Sequence, residues 1–156
     1  MDTTAEVGLS LVDKEMVMLI DPKECKLIWN QLVHLFLKGK QSWEPFMDLD
    51  YIYASIISGN FQLWVLIRQG NYRAVLLTEI VEYPKTKILR FIHVSGEGIF
   101  QGIQKKFRVC LEWAKSNGIA AYQIYGTRAW GRALGVSNKS EYKIVFYRDI
   151  GERSWV

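Results

Sequence analysis

The segment from Thr86 to Gly118, TKILRFIHVSGEGIFQGIQKKFRVCLEWAKSNG, constrains this chain more than any other. Its first part, Lys87–Val94, has the apolar content of a strand and runs into the glycines Gly96 and Gly98. Ile99, Ile103, Phe107, Cys110, Leu111 and Ala114 then form an apolar stripe at helical spacing, which predicts a long amphipathic helix from about Ile99 to Asn117 with Gly118 as its C-cap. A strand, a glycine turn and a helix start in direct succession gather free backbone N–H groups at one spot, where the helix end adds a partial positive charge. Such a junction is a potential anion site.

The rest of the chain arranges itself around that junction. Met16–Ile20 is a short apolar run of the kind that makes a buried strand. Asp21 can cap a helix with Pro22 at its first position, carrying Cys25, Ile28, Trp29, Leu32, Leu35 and Phe36 on one face and ending at Lys38-Gly39-Lys40. A loop with Trp43 and Pro45 leads to a second helix over Leu49–Ile57, capped by Asp48. The strands Phe61–Gln69 and Tyr72–Tyr83 flank the hairpin signal Gly70-Asn71, and Pro84-Lys85-Thr86 turns the chain into Lys87–Val94, giving an antiparallel meander. Ile119–Tyr125 follows the long helix and is expected to lie parallel to the strand before it. A helical turn over Ala129–Leu134 and an antiparallel last strand, Tyr142–Ile150, complete an α+β order with a mixed central sheet and helices on both faces.

Length and composition fit one globular domain over residues 1–156, with a loose segment at 1–14 and a tail at 151–156. Hydrophobic residues make up 49% and charged residues 23%, so a packed core is affordable. No run approaches the roughly 20 apolar residues that span a bilayer, and the Met1–Glu6 start is acidic and polar, so the expectation is a chain neither transmembrane nor secreted. The formal charge of +4 is spread along the sequence without a basic arm or a DNA-binding motif, which leaves nucleic acid a minor possibility. Cys25 and Cys110 read as free core thiols, and His34 and His93 have no metal-ligand spacing.

The motifs Leu111-Glu112-Trp113-Ala114, Gly118, Tyr122–Tyr125 and Gly126-Thr127-Arg128-Ala129-Trp130-Gly131-Arg132-Ala133-Leu134, taken with the element order, resemble the GNAT (GCN5-related N-acetyltransferase-like) proteins of tailed bacteriophages. The resemblance implies a GNAT-like fold whose turn residues Ser95, Gly96, Gly98 and Ile99 would hold the pyrophosphate of acetyl-CoA. It also implies acid and base candidates in His93, Glu79 and Tyr125. Three departures stand out: Ser95 where the family carries a basic residue, Glu97 placing a negative charge on the turn, and Phe100 where a small residue is usual. Glu97 has a second reading as an acid favourably placed on the helix end. Glu79 and Glu82 are three apart and face opposite sides of a regular strand. Arg128, Trp130 and Arg132, with Trp155 in the tail, are candidates for an anion or a partner surface. Trp43 also falls outside the periodic patterns and leaves room for a contact surface.

Two functions follow. The departures favour a phage virion or assembly component without cofactor, acting in the host cytoplasm or particle through contacts with other phage proteins or its own copies. The fold resemblance favours an acetyl-CoA-dependent N-acetyltransferase that modifies an amine on a host protein or small molecule.

Overall fold

The computed structural model describes residues 15–98, 101–125 and 143–146. In chain order the elements are β1 (Glu15–Ile20), α1 (Pro22–Lys38), α2 (Lys40–Trp43), α3 (Leu49–Ile57), β2 (Phe61–Arg68), β3 (Asn71–Glu82), β4 (Lys87–Gly96), α4 (Ile103–Ser116), β5 (Ala121–Tyr125) and β6 (Lys143–Phe146). The strands follow the order β1-β2-β3-β4-β5-β6. Two compact units are formed, one from the described residues up to Leu77 with Val94–Gly98, the other from Thr78–His93 with the described residues from Gln101 on.

In the first unit, local chemistry sets the helix ends. The Asp21 carboxylate accepts from Lys23 N at 2.8 Å, Pro22 stands in the first turn, and the Gly39 amide closes α1 on Leu37 and Phe36 carbonyls. Asp48 caps α3 in the same way, accepting from Tyr51 N at 2.7 Å. Cys25, Leu32, Leu35 and Phe36 make the buried stripe of α1, joined by Ile52 and Ile56 of α3 and by Leu63, Trp64, Val65, Leu66, Ala74, Val75 and Leu77 of the strands. Trp43 lies inside this core, not on a contact surface as its place in the sequence allowed. A helical turn, α2, brings it in, and its indole N–H donates to Phe36 O at 2.8 Å. That bond satisfies the polar end of an otherwise apolar ring.

β1 pairs antiparallel with β2, from Glu15 opposite Arg68 to Ile20 opposite Leu63. It is the first strand of the order, with Met16, Met18 and Leu19 exposed, where the apolar run predicted a buried strand. The β2–β3 turn sits one residue earlier than the sequence signal. Gln69 (φ 53°) and Gly70 (φ 76°) are both left-handed, as a two-residue primed turn requires, and Asn71 opens β3 with its side chain donating to Gln69 O.

In the second unit, β3 and β4 are joined through reciprocal backbone bonds, Tyr83 N to Thr86 O at 2.8 Å and Thr86 N to Tyr83 O at 3.3 Å. β4 and β5 pair in parallel, from Ile88 opposite Ala121 to Phe91 opposite Ile124. Phe91 stacks on Phe107 of α4 with ring centroids 4.4 Å apart and meets Tyr122 edge-on at 5.8 Å. α4 starts at Ile103, four residues later than its apolar stripe predicts, because Gly102 in the left-handed region (φ 67°) precedes the first turn. Gly118 (φ 76°) ends it as expected, with Ile119 N reaching back to Ala114 O. β6 pairs with β5 in parallel, from Lys143 opposite Tyr122 to Phe146 opposite Tyr125, against the antiparallel expectation. The connection between them, residues 126–142, is long enough for the crossover that a parallel pair needs.

Cys25 and Cys110 are both free and buried. Burial pushes the Cys25 thiol up to about 11 and raises that of Cys110 as well. No described helix is long and apolar enough to cross a membrane.

Candidate functional site

The predicted turn residues lie at the end of β4 in the first unit, and most of their chemistry is turned inward. Ser95 is 7% exposed and its hydroxyl donates to Leu35 O at 2.7 Å, so the residue at the family's basic position ties the strand to α1. Gly96 has φ 123°, and a Cβ there would stand 2.4 Å from Arg73 O and 2.5 Å from Ala74 Cα. Only glycine permits this approach of β4 to β3. The next amide, Glu97 N, donates to Arg73 O at 2.8 Å and pins the turn to the same carbonyl. Gly98 is left-handed as well (φ 72°), and among the described residues a Cβ there would meet Glu15 Oε1 at 3.8 Å, an ordinary contact.

The Glu97 side chain is engaged within its own unit. Its carboxylate receives Lys38 Nζ at 2.5 Å and Arg73 Nη1 at 3.4 Å. The hydrogen bond and charge of Lys38, then the charges of Arg73 and His34, hold this carboxyl below its usual range. Arg73 Nε is buried and has no hydrogen-bond partner among the described residues. Arg68 faces Glu15 at 3.7 Å in the same unit. Three cations, Lys38, Arg68 and Arg73, thus stand against two carboxylates, Glu15 and Glu97, around the turn.

The second unit holds the predicted acid and base candidates, and it separates them. Glu79 Oε1 receives Arg90 Nη1 at 3.1 Å, and Arg90 Nε donates to Gln123 Oε1 at 3.0 Å. These three residues form one row across β3, β4 and β5, with Arg90 and Gln123 as register partners. His93 shares the parity of Phe91, whose ring meets α4, and therefore projects from the opposite face to Arg90. Glu79 and His93 are not brought together. Burial pushes the His93 imidazole down to about 4, so at neutral pH it carries no charge and is a weak base. Burial also raises the Tyr122 phenol to about 12, which keeps its proton in place. Glu82 pairs with Lys87 at 3.5 Å at the far end of the hairpin.

Among the described residues no side chain caps the start of α4, and no acid sits in its first turn. Lys106 Nζ donates to Gln101 O just ahead of it. Ile99, Arg128, Trp130, Arg132, Trp155 and the side chain of Tyr125 lie outside the described residues. Sequence reasoning missed Arg90 and Gln123, whose signal was a polar residue in each of two apolar strands that pair in register. It also missed Lys38 and Arg73, which are distant in sequence from the acid they bind.

The β4–β5 register ends at Phe91 while β4 itself continues to Gly96, so the parallel pair is short and is followed by the glycine turn and α4. Solved structures are similar in fold over most of the chain. One is a ribosomal-protein-alanine N-acetyltransferase from Brucella melitensis biovar Abortus 2308, 10% identical at a TM-score of 0.61, over 92% of this chain and 97% of that one. Another is an aminoglycoside acetyltransferase from an uncultured soil metagenomic sample in complex with sisomicin, 12% identical at 0.60, over 87% and 96%. A predicted acetyltransferase from Clostridium acetobutylicum, solved with acetyl-CoA, is 15% identical at 0.55, over 83% and 94%. The chain has the GNAT fold. No family model matches it, and no curated protein does. The GNAT fold is thus carried by a sequence whose turn residues have their own uses.

Proposed function

We propose that this chain is an acetyl-CoA-dependent N-acetyltransferase acting on an amine. What supports the reading above all is the GNAT plan itself, a short parallel β4–β5 pair, a glycine turn and a helix whose start is left without a side-chain cap. Structures similar over most of this chain are acetyltransferases, and that likeness weighs for the enzyme over a scaffold.

The residues present fit the cofactor in part. Gly98 leaves the turn open on one side, and the charges around it sum to one net positive. These groups would hold a pyrophosphate, whereas Ser95, Gly96 and the Glu97 amide already have partners within the protein. Bound acetyl-CoA supplies the activated acetyl group. The amine has to lose a proton in the transfer, and neither His93, neutral and weakly basic, nor Glu79, engaged by Arg90, is suited to take it. With no better base among the described residues, the amine is expected to enter as its own neutral fraction, so that the rate rises with pH toward the amine's pKa.

The test is calorimetric titration with acetyl-CoA, with CoA as control, followed by thiol release against an aminoglycoside, an amino sugar and a peptide α-amine. Saturable binding with a dissociation constant near or below about 100 μM is expected, together with turnover on one amine class. A His93→Gln chain should retain that turnover. No binding and no thiol release would overturn the enzyme. The second reading, a phage-encoded assembly component that keeps the fold without acetyl transfer, draws on Ser95, Gly96 and Glu97 being engaged in packing and ion pairs, and it calls for silence in both assays.

A further inference from the structure

We infer that Lys38 and Arg73 are a phosphate-binding pair held in reserve by Glu97, whose carboxylate occupies them until a diphosphate-bearing ligand replaces it. This rests on the acetyl-CoA reading and deepens it by assigning the holding to two of those side chains and naming a built-in competitor for them.

Three observations carry it. The turn backbone is fixed independently of the Glu97 side chain, by the Glu97 amide on Arg73 O and by the close approach of Gly96 to β3, so the carboxylate can leave without dismantling the turn. All three side chains of the cluster are well exposed, Lys38 at 43%, Arg73 at 39% and Glu97 at 59%. Ion pairs this wet contribute little net stability and exchange readily for another anion. The Arg73 guanidinium is also poorly matched by its present partner. Its contact with Glu97 is 3.4 Å long and made through one terminal nitrogen, whereas a phosphate takes two guanidinium donors at once. Ser95 is bonded to Leu35 O and supplies no charge, so positive charge at this turn has to come from outside it. Lys38 at the end of α1 and Arg73 on β3 provide it.

Charged groups that bear on the turn from the same unit include His34, which acts on Glu97 at longer range, and the Glu15–Arg68 pair near Gly98. Neither is replaced in the exchange. The Glu15 carboxylate remains to disfavour anions near Gly98, which places the gain on the Lys38 and Arg73 side.

The experiment is calorimetric titration of the full chain and of its Glu97→Gln, Lys38→Gln and Arg73→Gln variants with acetyl-CoA and, separately, with inorganic pyrophosphate. Circular dichroism confirms that each variant is folded. Glu97→Gln should bind both probes about threefold to tenfold more tightly, and Lys38→Gln should weaken both by a similar factor, with each effect shrinking at high salt. Lys38 is a surface residue at a helix end, so its variant reads the proposal even if Arg73→Gln fails to fold.

If the unaltered chain binds acetyl-CoA and neither Glu97→Gln nor Lys38→Gln changes the affinity, the inference is overturned and the enzyme stands. If acetyl-CoA is not bound but pyrophosphate binding tightens in Glu97→Gln and weakens in Lys38→Gln, the pair is an anion site and the acetyl-CoA reading fails. Absence of binding by every variant overturns both.

Discussion

Two polar clusters among the described residues use the same residue types, one arginine and one glutamate with a third polar partner, and differ in their access to water. Around the turn, Glu97 meets Lys38 and Arg73 in the open, and water competes with every contact. In the row across β3, β4 and β5, Glu79 and Arg90 are 28% and 20% exposed and Gln123 is buried, so the hydrogen bonds are better sheltered. Sheltered pairs are costly to break because a lost partner leaves a poorly hydrated charge, while exposed pairs are cheap to rearrange. The first cluster is therefore suited to respond to a ligand and the second to hold strands in register.

The strongest way to break this comparison is at the backbone beneath the exposed cluster. Gly96→Val places a branched side chain against Arg73 O at a positive φ, and it should cost about 4 kcal/mol or prevent folding, measured by urea unfolding. An unchanged midpoint would show that the turn is not pinned to β3. Next comes acid. The unfolded chain protonates His93 near pH 6.5 and the folded chain only near pH 4, so stability is whole above pH 6.5 and falls as the pH drops toward 4. The loss should approach about 3 kcal/mol, and His93→Gln should remove that part of the acid limb in pH-dependent unfolding.

Arg90→Met tests the sheltered row directly, with an expected loss of about 2 kcal/mol and part of it recovered in the Arg90→Met, Glu79→Gln double variant. Gly98→Ala should cost about 1 kcal/mol, the strain of a positive φ without a clash, and a loss as large as that of Gly96→Val would erase the distinction between the two glycines. Smallest of all, Lys38→Gln should leave the unfolding midpoint unresolved from the parent. A clear drop there would make the exposed cluster a structural device after all.

Much of the fold was legible because its signals are local. Asp21, Asp48 and Gly118 stop or start helices through bonds within a few residues, and α1 and α3 run as their apolar spacing predicts. The errors fall where local pattern underdetermines geometry. A stripe from Ile99 to Ala114 does not reveal that Gly102 turns left-handed and delays the helix, and Gly70-Asn71 does not reveal that Gln69 is the other turn residue. The parallel direction of β6 is not something that strand spacing encodes. At the site the sequence flagged the turn and the odd acid at Glu97, but its partners lie 24 and 59 residues away. No periodicity connects them. The same holds for Arg90 and Gln123, 33 residues apart, which meet only once the parallel register is set.

The two buried cysteines have a practical consequence. With both thiols enclosed and shifted toward the protonated form, a thiol-reactive chromogen added to the native protein finds almost no thiolate to attack. Colour in a turnover assay then reports released CoA with little background from the enzyme. In denaturant, without substrate, the same reagent becomes a clock for opening of the native state: Cys25 tells when the α1 core is breached, Cys110 when α4 comes away.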